Sequence, residues 1–114
     1  MKKSILLVDD NRMLLDTFQK ILRLDGHDVT CFQNGKQALD SLGQNMFQIA
    51  IVDYNLPGMN GAQFVKAIRS QCPDALIIGF SLEFKEKEFL EAGADVFYIK
   101  SHVHEMMSRI SQAA

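Results

Sequence analysis

Ile49-Ala50-Ile51-Val52-Asp53-Tyr54-Asn55-Leu56-Pro57-Gly58-Met59-Asn60-Gly61 runs from four apolar residues through a carboxylate into a segment with one proline and two glycines. A short apolar run bounded by polar residues fits a strand buried on both faces, as parallel sheets use. The segment after Asp53 cannot be regular structure. A helix over 62–71 follows, with Phe64, Val65 and Ile68 facing inward, and it stops before Pro73. The same grammar recurs on either side. Ile5-Leu6-Leu7-Val8 leads into Asp9-Asp10, Leu76-Ile77-Ile78-Gly79-Phe80 into Ser81, and Val96-Phe97-Tyr98-Ile99 into Lys100.

The intervening segments read as helices. Asp10 or Asn11 caps one over 12–24, with Leu14, Phe18, Ile21 and Leu22 on one face and Gly26 closing it. Val29 to Phe32 is a further strand, and Asn34-Gly35 turns into a helix over 36–43 with Ala38, Leu39 and Leu42 inward. A short charged helix over 84–92 is anchored by Phe89 and Leu90 and closed by Gly93. The last, over 103–112, turns Val103, Met106, Met107 and Ile110 inward. Alternating strands and helices imply an α/β fold, a parallel sheet with helices on both faces. Five strands with right-handed crossovers fit the flavodoxin-like order 2-1-3-4-5.

The chain has 114 residues, 47% of them hydrophobic and 23% charged, enough for one domain with its own core. A net charge of -2 without a basic cluster gives no basis for direct nucleic-acid binding. No apolar run is long enough for membrane insertion, and no signal peptide follows Met1-Lys2-Lys3. Cys31 and Cys72 lack metal-site spacing and read as reduced, packed thiols of a cytoplasmic protein. His27, His102 and His104 read as surface residues.

Ligands of open parallel sheets bind outside the carboxyl ends of the strands. Asp9, Asp10, Asp53, Ser81 and Lys100 all fall there. Two carboxylates ~4 Å apart repel by roughly 4 kcal/mol at an effective dielectric near 20, so the cluster needs counter-charge. Lys100 supplies one positive charge and a bound Mg2+ would supply two, with carboxylates, a backbone carbonyl and waters as its oxygen ligands. A carboxylate placed beside that cation can attack phosphorus, and Ser81 can donate a hydrogen bond to the arriving phosphoryl group. Bland readings stand beside these. Asp9, Asp10 and Ser81 also suit helix capping, Asp53 a loop carboxylate, Lys100 a solvated strand end, and Phe97 ordinary core.

In order and at strand ends, these residues resemble the receiver domain of two-component response regulators. The resemblance covers essentially the whole chain and is carried by the stretches 5–10 and 52–61, by Ser81, by Glu91-Ala92-Gly93-Ala94-Asp95 and by Lys100. It implies a phosphorylation-dependent switch rather than an enzyme, with only weak phosphotransfer and autophosphatase activity. Asp53 would be the phosphoacceptor and Asp10 a direct Mg2+ ligand, with Asp9 acting through a metal-bound water. The Asn55 carbonyl would be a further ligand, and Mn2+ could replace Mg2+. Ser81 would be the switch hydroxyl and Phe97 the switch aromatic, while Asn55 and Glu83 would tune phosphoaspartate hydrolysis, as in chemotaxis regulators. The implied partners are a sensor histidine kinase or histidine phosphotransfer protein and a downstream protein. The chain is expected to hold one receiver domain over 1–114 and no output domain.

Three features depart from the family pattern. Ser101 follows Lys100 where a cis proline is usual; a cis bond before a non-proline costs ~2.5–4 kcal/mol, which leaves both the cis and the trans form open at this bond. Leu82 replaces a small residue and would narrow access to Asp53. The segment from Ser81 to Gly93 is about one helical turn short. Two rivals remain: a Mg2+-dependent phosphatase with an aspartyl nucleophile, disfavoured by Asn55 in place of a second acid, and a non-phosphorylated interaction module.

Overall fold

The computed structural model describes residues 2–42 and 46–113. Its elements are β1 (Ser4–Val8), α1 (Arg12–Leu24), β2 (Asp28–Phe32), α2 (Gly35–Ser41), β3 (Ile49–Val52), α3 (Gly61–Arg69), β4 (Leu76–Ser81), α4 (Glu86–Ala92), β5 (Val96–Ile99) and α5 (Val103–Gln112), with a 3-10 turn over Lys100–His102. The strands pair in parallel in the order β2-β1-β3-β4-β5. The expected fold class therefore holds. The expected end of the second helix at residue 43 lies outside the described residues.

Strand alternation divides the apolar residues between two cores. Leu6, Val8, Ala50 and Val52 face one side with Phe64, Val65, Ile68 and Phe89. Ile5, Leu7, Ile49 and Ile51 face the other with Leu15, Leu22, Met106 and Ile110. Each fully buried branched or aromatic side chain contributes roughly 1.5–3 kcal/mol, so this double-sided sheet is the rigid platform for its own strand ends. Both cysteines are free; Cys72 is buried and Cys31 half-buried.

Helix starts follow a common device. Asn11, Asn34 and Asn60 each accept, through the side chain, a backbone N–H three residues on: from Leu14 (3.2 Å), Gln37 (2.9 Å) and Gln63 (2.8 Å). Gln63 returns the bond to the Asn60 N–H, completing a capping box. Neither α4 nor α5 has a side-chain cap, and a missing cap forgoes about 1 kcal/mol. The far end of α4 is tied down instead. Arg69 donates to the Gly93 carbonyl (2.9 Å) and to Asp95 Oδ2 (2.7 Å), which also accepts the Ile77 N–H (2.8 Å).

Several readings need correction. His27 is buried, not at the surface, because its Nδ1 accepts the Lys3 N–H at 3.0 Å as β1 and β2 pair; His102 and His104 are exposed as expected. On α1, Leu15 is buried and Ile21 is exposed, since the sheet meets the helix slightly off the face drawn from periodicity. Helix α4 begins at Glu86, and Leu90 is exposed, leaving Phe89 as its deep anchor. The Lys100–Ser101 bond is trans.

Candidate functional site

The sheet ladder positions the acids. Asp9 N–H donates to the Phe32 carbonyl (3.1 Å) and Asp53 N–H to the Val8 carbonyl (2.9 Å), so both side chains emerge at the same sheet edge. Asp9, Asp10 and Asp53 each offer an oxygen within 4.8 Å of the others. Asp9 and Asp53 are buried and Asp10 is exposed. Lys100, on the turn after β5, reaches back with Nζ 2.8 Å from Asp9 Oδ2 and 3.4 Å from Asp53 Oδ1. Asp9 Oδ1 meanwhile accepts the Asn11 N–H at 2.9 Å. Both oxygens of Asp9 are thus engaged inside the protein, while Asp10 faces solvent.

Burial pushes the Asp53 carboxyl up to about 6, and the Asp9 carboxylate adds to the rise; the Lys100 ammonium and the Tyr54 N–H oppose it. Three carboxylates against one ammonium leave two formal negative charges when all are ionised. A hard dication on oxygen ligands fits that deficit and that donor chemistry.

The other site residues surround this cluster. Ser81 is fully buried, and its Oγ accepts the Glu83 N–H at 3.3 Å. Asn55 Nδ2 donates to Glu83 Oε1 at 2.9 Å, so one bridge joins the loop after β3 to the loop after β4. Leu82 is 75% exposed and belongs to neither core; it stands in solvent. Phe97 is buried in the core on the α3–α4 side.

Two contributors were not singled out from the sequence. The first is Gly61, whose N–H donates to the Tyr54 carbonyl at 2.7 Å. A Cβ there would run into the backbone carbonyl of Asp53 and, at 2.9 Å, the Phe89 ring. Gly61→Ala should therefore cost at least the ~1–3 kcal/mol of overpacking and displace Asp53. A melting temperature equal to wild type would contradict this. The second is Lys85, whose Nζ lies 4.7 Å over the Tyr54 ring. A lysine and a tyrosine 31 positions apart carry no local sequence signal; only the β3–β4 pairing brings them together.

A parallel sheet of this order, with an acid cluster and a lysine at its carboxyl edge, defines a flavodoxin-like α/β domain that carries its polar site outside the strand ends. The chain matches the response regulator receiver domain family over residues 5–111, and it belongs to that family. It is 33% identical over 110 residues to the transcriptional regulatory protein CpxR of Escherichia coli, covering 94% of this chain and 47% of that one. It is 31% identical over 110 residues to the sensory transduction protein RegX3 of Mycolicibacterium smegmatis, covering 94% of this chain and 48% of that one. The chain thus spans less than half the length of these relatives. Among solved structures, the chemotaxis response regulator CheY4 of Vibrio cholerae superposes with a TM-score of 0.89 at 26% identity, covering 100% of both chains. Receiver domains are signalling switches of two-component systems and bind Mg2+ at an acidic pocket. Among the described residues, no helix is long and apolar enough to cross a membrane.

Proposed function

We propose that Asp53 is the phosphoacceptor of this switch, with a histidine kinase or histidine phosphotransfer protein as donor. The observation that carries this reading is the Lys100 ammonium shared between Asp9 and Asp53, beside an exposed Asp10. An Asp53 oxygen attacks the phosphorus of a phosphohistidine; the P–O bond forms as the P–N bond breaks, and the imidazole leaves and takes up a proton. Lys100 offsets charge on the phosphoryl oxygens. Asp10, Asp53 and the Asn55 carbonyl would hold Mg2+, with Asp9 joining through water; the ion supplies further charge neutralisation. The Asn55 amide, bonded to Glu83, is not an acid that could protonate a leaving group. This favours a switch over a phosphatase.

Phosphorylation replaces a charge of about -1 with one approaching -2 and adds acceptor oxygens. Ser81 is the neutral donor at hand. To point at the phosphoryl group it gives up the Glu83 N–H, which the Asn55–Glu83 bridge now holds in place. A hydrogen bond to a charged group is worth ~1.5–3 kcal/mol, a shift of roughly 10- to 150-fold between two states. Asn55 and Glu83 would tune hydrolysis of the phosphoaspartate as well as this coupling.

Mass spectrometry after incubation with a small acyl phosphate and Mg2+ should show one labile phosphoryl group on Asp53; label elsewhere, or none, would refute the assignment. Ser81→Ala should still accept the group but transmit less. The comparison is of NMR shift changes over residues 82–98, and equal perturbation in both proteins would remove Ser81 as the coupling element.

A further inference from the structure

Lys85 stands where local rules call for another residue. It occupies the N-cap position of α4 and makes no side-chain cap bond. Serine, threonine, aspartate or asparagine is the usual choice there, and a cation at a helix N-terminus opposes the peptide dipoles. Glu86 and Glu88, in the first turn, carry the charge that suits them. A residue that breaks a local rule points to a gain elsewhere. For Lys85 the gain is Tyr54. The ammonium lies 4.7 Å over the Tyr54 ring, and the side chain is only 25% exposed while Glu83, Glu86 and Lys87 stand in solvent. Glu88, 3.8 Å away, is a surface partner at i+3, and such pairs contribute little.

Tyr54 is the residue after Asp53, and it is held from two sides. Lys85 covers its face, and Phe89 of α4 meets it edge-on at 5.9 Å. The Phe89 ring is itself seated against the β4 backbone, since a Cβ on Gly79 would lie 2.5–2.8 Å from three of its atoms. Arg69 anchors the far end of α4 through the Gly93 carbonyl. The head of α4 hangs on the connection 82–85, which leaves β4 at Ser81. Two rungs tie that connection to the loop after β3: Asn55 to Glu83 at 2.9 Å, and Tyr54 to Lys85. Within it, the Glu83 N–H donates to Ser81 Oγ at 3.3 Å. The charges that act on the Asp53 carboxyl are those of Asp9 and Lys100. Lys85 therefore works through Tyr54 and not as a second counter-ion.

We propose that Lys85 is a positioning residue of the phosphoryl switch: seated on the face of Tyr54, it latches the connection after β4 in the arrangement where Ser81 Oγ serves the Glu83 N–H. For Ser81 to turn to a phosphoryl group on Asp53, the Glu83 N–H is released and residues 82–85 shift. The Lys85 ammonium then leaves the Tyr54 ring. A contact present in one arrangement and lost in the other biases the balance by its full strength. The latch thus sets how readily the site closes. The proposal rests on the reading of Asp53 as phosphoacceptor and of Ser81 as switch hydroxyl.

Beryllium fluoride with saturating Mg2+, a phosphoryl mimic, is the probe. Lys85→Met keeps the length of the stem and removes the charge, so it should bind the probe about 2- to 5-fold more tightly than wild type, the strength of an exposed cation–π contact. Lys85→Arg keeps a cation over the ring and should bind like wild type. In Tyr54→Leu the Lys85→Met change should have no further effect, since the two side chains act as one pair. NMR reads the contact itself. The Lys85 ε-methylene protons should lie upfield of those of the other lysines, under the ring current of Tyr54, and move back among them as the probe saturates. An affinity unchanged or weakened by Lys85→Met overturns the latch. So does Lys85→Arg behaving like Lys85→Met, or an upfield signal that persists at saturation. In each of these cases the probe still binds, and the reading of Asp53 stands. A wild-type chain that fails to bind the probe overturns that reading, and the latch with it.

Discussion

An Asp53→Asn variant should take up no phosphoryl group from a small acyl phosphate and should be more stable than wild type at pH 7.5 in the absence of Mg2+. The amide keeps the shape of the carboxylate but is a poor nucleophile, so labelling falls to background. The stability gain comes from the charge that is removed. Asp53 is buried beside Asp9, and its carboxyl is pushed up to about 6. A raised folded-state value means that the native chain holds this proton more tightly than the unfolded chain. Native stability is therefore highest, as far as this group goes, below pH 4, and is lost as the pH rises through about 6. Ionising Asp53 costs the wild type roughly 1–3 kcal/mol at pH 7.5, the lower end allowing for solvent screening at the mouth of the site. The variant escapes that cost and leaves Lys100 to Asp9, its nearer partner at 2.8 Å. Below about pH 4, where the folded and unfolded chains both hold the Asp53 proton, the two proteins should melt alike. Stoichiometric label on the variant, or an equal gain in stability at pH 4.5 and 7.5, would break the link between charge, burial and nucleophilicity at this position.

The parts of the molecule that could be read in advance are those whose cause is local. A strand end is visible where four apolar residues meet an aspartate, so β3 and β5 lie where the apolar runs end, and Asp9, Asp10, Asp53 and Lys100 converge on one edge. Asn11 at the head of α1 is likewise a matter of which side chain stands three residues before an N–H in need of a partner. What could not be read depends on distant pairs. The burial of His27 follows from the Lys3 amide, which the β1–β2 pairing brings opposite it. Leu15 rather than Ile21 faces the sheet because the helix rolls to fit side chains on β1 and β2. The Glu83–Asn55 bridge closes across 28 positions. Phe97 as core and Phe97 as switch aromatic are the same letter in the same strand. What the structure adds is the inward seat of Phe97, stacked on a Phe89 ring that a Cβ on Gly79 would displace. That consequence of one missing side chain appears only when β4 and α4 are packed together.

Mg2+ should raise the melting temperature of the wild-type chain, and more so at pH 7.5 than at pH 5.5. Without it, Asp9, Asp10 and Asp53 share one ammonium, and the ionised cluster keeps two uncompensated charges. A dication removes that deficit, so binding selects the ionised, folded cluster. At ~100-fold excess over the dissociation constant the gain is ~2.7 kcal/mol. Lowering the pH through about 6 protonates Asp53, so the proton and the cation compete and the gain shrinks. Asp10 and Asp9 should differ in this experiment. Asp10 is exposed, so Asp10→Ala should weaken Mg2+ binding with little loss of stability in the metal-free protein. Asp9 is buried, accepts the Asn11 N–H and pairs with Lys100, so Asp9→Ala would strip the nearer partner from a partly buried ammonium and destabilise the fold itself. Isothermal titration and thermal melts on both variants separate the two roles. A melting temperature unmoved by saturating Mg2+, or a gain of equal size on both sides of pH 6, would show that charge relief in this cluster does not drive cation binding.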